Sequence, residues 1–167
     1  MSQVRDEDGL DTAKWQILCE GVVASHDGDA AAAHIATDRL AAQVPFDSQV
    51  SMYLWYLLRY RVADMLGRRP SAEDLREIAG RVYPRFSVVI RGDGSVLENV
   101  LRTVFKLASK DEEVTAGRFV VAGMAALGVL LNDPVADMEA MRPHMADWWR
   151  RNLEKFRSQG ILDDRTV

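Results

Sequence analysis

The segment Ser51–Leu66 constrains the fold more than any other stretch of the chain. Placed on a helix at 100° per residue, Val50, Met52, Tyr53, Leu54, Trp55, Tyr56, Leu57, Leu58, Val62, Met65 and Leu66 occupy nearly the whole circumference. A surface helix keeps one polar face, so a helix that is apolar all round is expected to be wrapped by other helices or by a partner. Three charges ride on it: Arg59, Arg61 and Asp64.

Helical periodicity is what the rest of the chain supplies for that wrapping. Asp11 can cap a first helix with Trp15, Leu18, Val22 and Cys19 on its apolar stripe. The turn His26-Asp27-Gly28-Asp29 ends it. Asp29 caps a second helix, Ala30–Val44, with Ala33, Ile35, Ala36, Leu40 and Val44 as its packing face and Pro45 as its stop. Asp47 or Ser48 opens the long third helix, and Gly67 closes it. Ser71-Ala72-Glu73-Asp74 starts a fourth, carried by Leu75, Ile78, Ala79 and Val82. Pro84 is expected to break it, leaving Phe86–Ile90 as a short helix or irregular link.

A fifth helix is expected from Asp93 or Ser95 through Ala108. A sixth follows the acidic run Asp111-Glu112-Glu113 and reaches about Leu131. Asp133-Pro134 opens a seventh, which Pro143 should kink or split near Arg142. No pair of β-strands is predicted. The fold class is therefore all-α, a single-domain irregular bundle of about seven helices spanning 11–158. Tails are expected at 1–10 and 159–167. The third and sixth helices are expected at the centre. Gly117, Ala122, Gly123, Ala125, Ala126 and Gly128 on the sixth invite close approach by a neighbour, since each Gly in a helix otherwise costs about 1 kcal/mol relative to Ala.

Residues 15–44, a helix–turn–helix with Trp15, Leu18, a small Cys19, Ala31 and a bulky Ile35, resemble a single tetratricopeptide unit. The spacing does not repeat over residues 49–82, and a solenoid needs about three copies. The resemblance implies a helical hairpin and carries no activity with it.

A chain of 167 residues with 48% hydrophobic and 28% charged side chains can bury a core without disulfides or metals. One cysteine, Cys19, excludes an internal disulfide. Met1–Asp11 is polar and acidic and lacks the basic start and apolar core of a secretory signal. The longest uncharged run, Phe119–Asn132, falls short of the roughly 20 residues a membrane helix needs. A soluble, cytoplasmic protein is expected. Net charge is −4 but uneven: −6 over residues 1–58, +4 over 59–91 and −2 over 92–167. Arg outnumbers Lys seventeen to four, a bias that base composition alone can produce.

Catalytic and metal signatures are missing. His26, Asp27, Asp29 and His34 form the one candidate metal cluster, and local turn chemistry explains it. There is no nucleophile elbow, phosphate loop or dinucleotide fingerprint. Carboxylate pairs such as Glu73/Glu77 and Asp133/Asp137 lie in first helical turns, where acids complement the helix dipole. No metal, no cofactor and no catalytic residue are assigned.

Three functions remain as expectations. The leading one is a non-enzymatic helical module that associates with itself as a dimer. It rests on adjacent tryptophans that point about 100° apart and so cannot share one groove, with Met145, Trp148, Trp149 and Arg150 as the interface. The second is a small-molecule site for an anionic or amphipathic ligand, with Trp55, Arg59, Arg61 and Asp64 as its residues. In the competing structural reading, Arg61 pairs with Asp64 and Arg59 reaches the surface. The third is weak DNA contact through the Arg-rich middle third, without sequence selectivity.

Overall fold

The computed structural model describes residues 9–43, 48–92, 94–109, 114 and 116–159. Among them are seven α-helices and no strand: α1 (Thr12–His26), α2 (Ala30–Gln43), α3 (Ser48–Leu66), α4 (Ala72–Val89), α5 (Ser95–Val104), α6 (Ala116–Leu130) and α7 (Pro134–Ser158). The all-α expectation holds. Residues Val44–Asp47, Asp93 and Asp111–Glu113, named above as stops or starts, lie outside the described residues, as do 1–8 and 160–167.

The predicted caps are in place. Asp11 accepts from the Lys14 backbone N–H, Asp29 from Ala32 and Asp133 from Ala136. Ser71 and Asp74 form a reciprocal capping box at the start of α4. Gly67 adopts φ +68°, the left-handed conformation that ends a helix cheaply only for glycine.

Helix α6 is the hub, packed by α1, α3, α4 and α5; α1 pairs with α2, and α7 lies against α1 and α3. Where α1 crosses α6 the backbones nearly touch. A Cβ built on Gly128 would stand 2.6 Å from Ser25 Cβ and 2.7 Å from the Val22 carbonyl oxygen. One built on Gly21 would meet the Met124 sulfur. The small residues of α6 are thus used for close approach, most sharply at Gly128. Gly123 makes only ordinary contact with Leu54.

The end of α6 is held by three other helices. His26 Nδ1 of α1 lies 3.0 Å from the Gly128 carbonyl, to which it donates in the Nδ1–H tautomer, and 3.1 Å from Arg85 Nη2. Arg85 of α4 donates to Val129 O at 3.4 Å and to His26 O at 2.8 Å. Arg61 Nε of α3 donates to Leu130 O at 2.9 Å. These are carbonyls that a helix end leaves without intrahelical partners, and two of the three donors are cations placed where the dipole favours them.

Neither internal proline ends its helix. Helix α4 runs through Pro84 and α7 through Pro143. A proline inside a helix costs about 3 kcal/mol. Beyond Pro84, however, Phe86 and Val89 are fully buried, and each such side chain is worth roughly 1.5–3 kcal/mol. Beyond Pro143, Met145, Ala146 and Trp149 continue the buried stripe begun by Met138 and Met141. Burial outweighs the proline penalty in both helices.

Other corrections are smaller. Helix α5 ends at Val104 rather than Ala108, because Lys106 takes φ +56° and turns the chain. Ile35, expected inside, is 59% exposed, since α2 is covered mainly on its α1 side. Leu10, expected in the N-terminal tail, is fully buried. No single helix among the described residues is long and apolar enough to cross a membrane; α6 and α7 meet at a bend of 113°.

Candidate functional site

Helix α3 is wrapped on most of its circumference, as its composition requires. Val50, Tyr53, Leu54, Leu57, Leu58 and Val62 are fully buried. One strip is not closed over. Trp55, Tyr56, Arg59, Tyr60 and Ala63 are spaced i, i+1, i+4, i+5 and i+8, so they share one face. With Arg69 from the α3–α4 link, Phe105 from the end of α5 and Trp148 from α7, they line an open groove of about 520 Å³. Ala63 helps keep it open, since a larger side chain at that position would occupy the space.

The walls are a ladder of rings. Tyr56 stacks on Trp148 at 4.8 Å between centroids, Tyr56 lies 6.0 Å from Tyr60, and Tyr60 stacks on His144 at 5.3 Å. Trp55 packs on Phe119. Partial burial, with Tyr60 beside it, raises the Tyr56 phenol above its ordinary pKa, so it stays a neutral donor.

The cations converge on Phe105. The Arg59 guanidinium lies 5.6 Å from the ring centroid, a cation–π distance. Arg69 Nη2 donates to the Phe105 carbonyl at 3.4 Å. That carbonyl is available because α5 stops there, one residue before the left-handed turn at Lys106. A left-handed backbone costs an L-residue roughly 1–2 kcal/mol, and it is located directly beside the groove. Burial first, then the neighbouring Arg69 charge, lower the pKa of Arg59. An arginine nevertheless remains charged at any physiological pH. Among the described residues, no carboxylate lines the groove.

The residues named from sequence divide cleanly. Trp55 and Arg59 line the groove. Arg61 does not: it turns to the end of α6 and lies 3.9 Å from Asp64, whose carboxylate is largely exposed. Arg61 and Asp64 therefore lie outside the groove. Of the four interface residues, Met145 and Trp149 are interior; Trp149 packs edge-on against Tyr53 at 5.1 Å and against Phe156. They cannot form an outer contact face. Trp148 is half-buried and belongs to the groove, and Arg150 is exposed, 3.9 Å from Asp147. Arg69, Phe105 and His144 were not foreseen as neighbours of Arg59. A sequence signal existed only for the α3 strip, in its aromatic–aromatic–Arg–aromatic spacing.

Elsewhere the basic middle third is largely engaged. Arg68 grips Asp74 through both terminal nitrogens, and that ion pair together with the Ser71 N–H holds the Asp74 carboxyl well below its ordinary pKa. Arg76 pairs with Glu98. Among the described residues, no three His, Cys, Asp or Glu side chains converge on a position that could hold a metal. No family model matches the chain, and comparison with curated proteins and with solved structures yields no match either.

Proposed function

We propose that this protein binds a small amphipathic anion in the groove along α3. The observation that carries this reading is the placement of Arg59: a guanidinium set among Trp55, Tyr56, Tyr60, Phe105 and Trp148, without an ion pair to any described carboxylate. Partly desolvating a charge is unfavourable unless something compensates it. A ligand that brings an anion and an apolar body supplies both the missing charge and the apolar contact. The groove volume lies in the range of small-molecule sites, and a few convergent polar groups among apolar walls are their usual composition.

Pairing of two chains and DNA contact fit less well. The large apolar residues of α7 pack mainly inward. Of the eight arginines between 59 and 91, Arg68 and Arg76 hold carboxylates and Arg61 and Arg85 hold carbonyls.

The test is thermal stabilisation by 2-naphthoate. Mass action stabilises the folded chain by about 2.7 kcal/mol at a ligand concentration of 100 Kd. A rise in Tm that Arg59→Met abolishes, with helicity retained, is the expected result. No shift at millimolar ligand, or an equal shift in the variant, would overturn the reading.

A further inference from the structure

We infer that the groove selects a planar aromatic phosphomonoester, its ring set against the Tyr56–Trp148 stack and its phosphoryl group between Arg59 and Arg69. This rests on the ligand-binding reading above and narrows it to a chemical class.

The narrowing comes from a count of charges. Two guanidiniums are fixed on opposite parts of one residue, Arg59 over the ring of Phe105 and Arg69 at its carbonyl. Like charges held this way repel, and burial already disfavours the charged form of Arg59. Some arginines of the chain find carboxylates: Arg39 pairs with Glu20, Arg68 with Asp74, Arg76 with Glu98 and Arg151 with Asp147. Arg59 and Arg69, brought together at Phe105, have no ion pair to a described carboxylate.

A monocarboxylate would balance one of the two cations. A phosphomonoester carries about −1.5 to −2 at pH 7 and three acceptor oxygens, which balances both. Arginine is suited to this because its planar fork meets phosphate oxygens in pairs. Arg59 makes no hydrogen bond to a described residue, and Arg69 makes one long one, so most of their donors are available.

The ring is specified by the walls. Trp148 stacks on Tyr56, Tyr60 lies tilted beside Tyr56, and His144 stacks on Tyr60 from outside the groove lining, so an aromatic ligand joins an existing cluster of rings. An aliphatic phosphate would forgo those contacts. The volume of the groove also limits the occupant: about 520 Å³ admits one small molecule.

The experiment compares 2-naphthyl phosphate, 2-naphthoate and inorganic phosphate on the full chain, by calorimetry and by the indole N–H signals of the four tryptophans. Naphthyl phosphate is expected to bind about tenfold more tightly than naphthoate, the scale of one added charge-assisted contact. It should shift the Trp55 and Trp148 indoles and leave Trp15 and Trp149 unmoved. Arg69→Gln, a change at an exposed position, should bring naphthyl phosphate affinity down to that of naphthoate. Equal affinity for both naphthyl ligands, lost together in Arg59→Met, would overturn the two-charge inference and leave the groove reading standing. Binding of neither would overturn both. Inorganic phosphate binding as tightly as naphthyl phosphate, with no indole shift, would show an anion site without a place for the ring and would overturn the aromatic half.

Discussion

The α1–α6 crossing and the outer strip of α3 solve opposite packing problems. At the crossing, glycine and alanine let two backbones close until no side-chain atom fits between them. Along α3, tyrosine, tryptophan and arginine hold the neighbouring helices apart and leave a furrow. Both faces belong to helices that contribute buried apolar residues to the core. Side-chain size distinguishes the sealed seam from the open strip. Close packing makes the first intolerant of change and leaves the second free to vary.

The sharpest way to break this contrast is Gly128→Val. Its side chain would collide with main-chain atoms of α1, which cannot rotate away. A loss upwards of about 5 kcal/mol is expected, in the class of single changes that abolish folding. Urea unfolding measures it, and a loss under about 1 kcal/mol would mean that the seam can part. Gly21→Ala should cost less, since the closest atoms in its way are the flexible end of Met124, with Ala36 Cβ next at 3.2 Å.

The adjacent tryptophans separate the two regions next. Trp149→Ala removes a buried ring and should cost about 3–5 kcal/mol. Trp148→Ala removes a half-buried stacking partner and should cost roughly 1–2 kcal/mol, counting the ring pair and part of its burial. The smaller stability change should come with the larger loss of ligand affinity. Equal destabilisation by the two variants would place Trp148 in the core and undo the distinction.

The smallest effect is at Cys19. Burial pushes its thiol up to about 12, with the Glu20 charge adding to the rise. The folded chain therefore keeps the thiol neutral where the unfolded chain, near 8.5, ionises it. A raised pKa stabilises fully below the unfolded value and loses that contribution as pH climbs towards the folded one. Stability should decline between about pH 8.5 and 12, and Cys19→Ala should soften that decline. Alkylation by iodoacetamide at pH 8 should be slower in the native chain than in the urea-unfolded chain; equal rates would contradict the raised thiol pKa.

Helix starts were legible in sequence because caps are local. Asp11, Asp29, Ser71 and Asp133 bond within three residues of themselves, and no tertiary contact is needed to recognise them. The prolines misled for the converse reason. Whether Pro84 stops a helix depends on what Phe86 and Val89 find to bury against, and that is a property of α6 and its neighbours. The same division runs through the site. Trp55 and Arg59 share a face by arithmetic alone. Arg69, Phe105 and Trp148 reach that face only once α5 and α7 have docked. Arg61 was equally plausible on a helical wheel, but a wheel gives a direction and not what stands there. In this fold it points at the last carbonyls of α6.

Those carbonyls also bear on the order of events in folding. The side chains that cap Gly128, Val129 and Leu130 come from 102, 44 and 69 residues away along the chain. Each of the three bonds waits for a different helix, α1, α4 or α3, to find the end of α6, and the full set needs all three. Closing such long loops is slow, and contacts that depend on several prior closures belong to the native side of the barrier. Weakening one of them, as in Arg85→Met, should steepen escape from the native state and leave the approach to it unchanged: a faster unfolding limb and an unaltered folding limb in stopped-flow kinetics. The end of α6 then acts as a latch set last and released first, and how long the folded molecule persists depends on it more than how quickly the molecule forms.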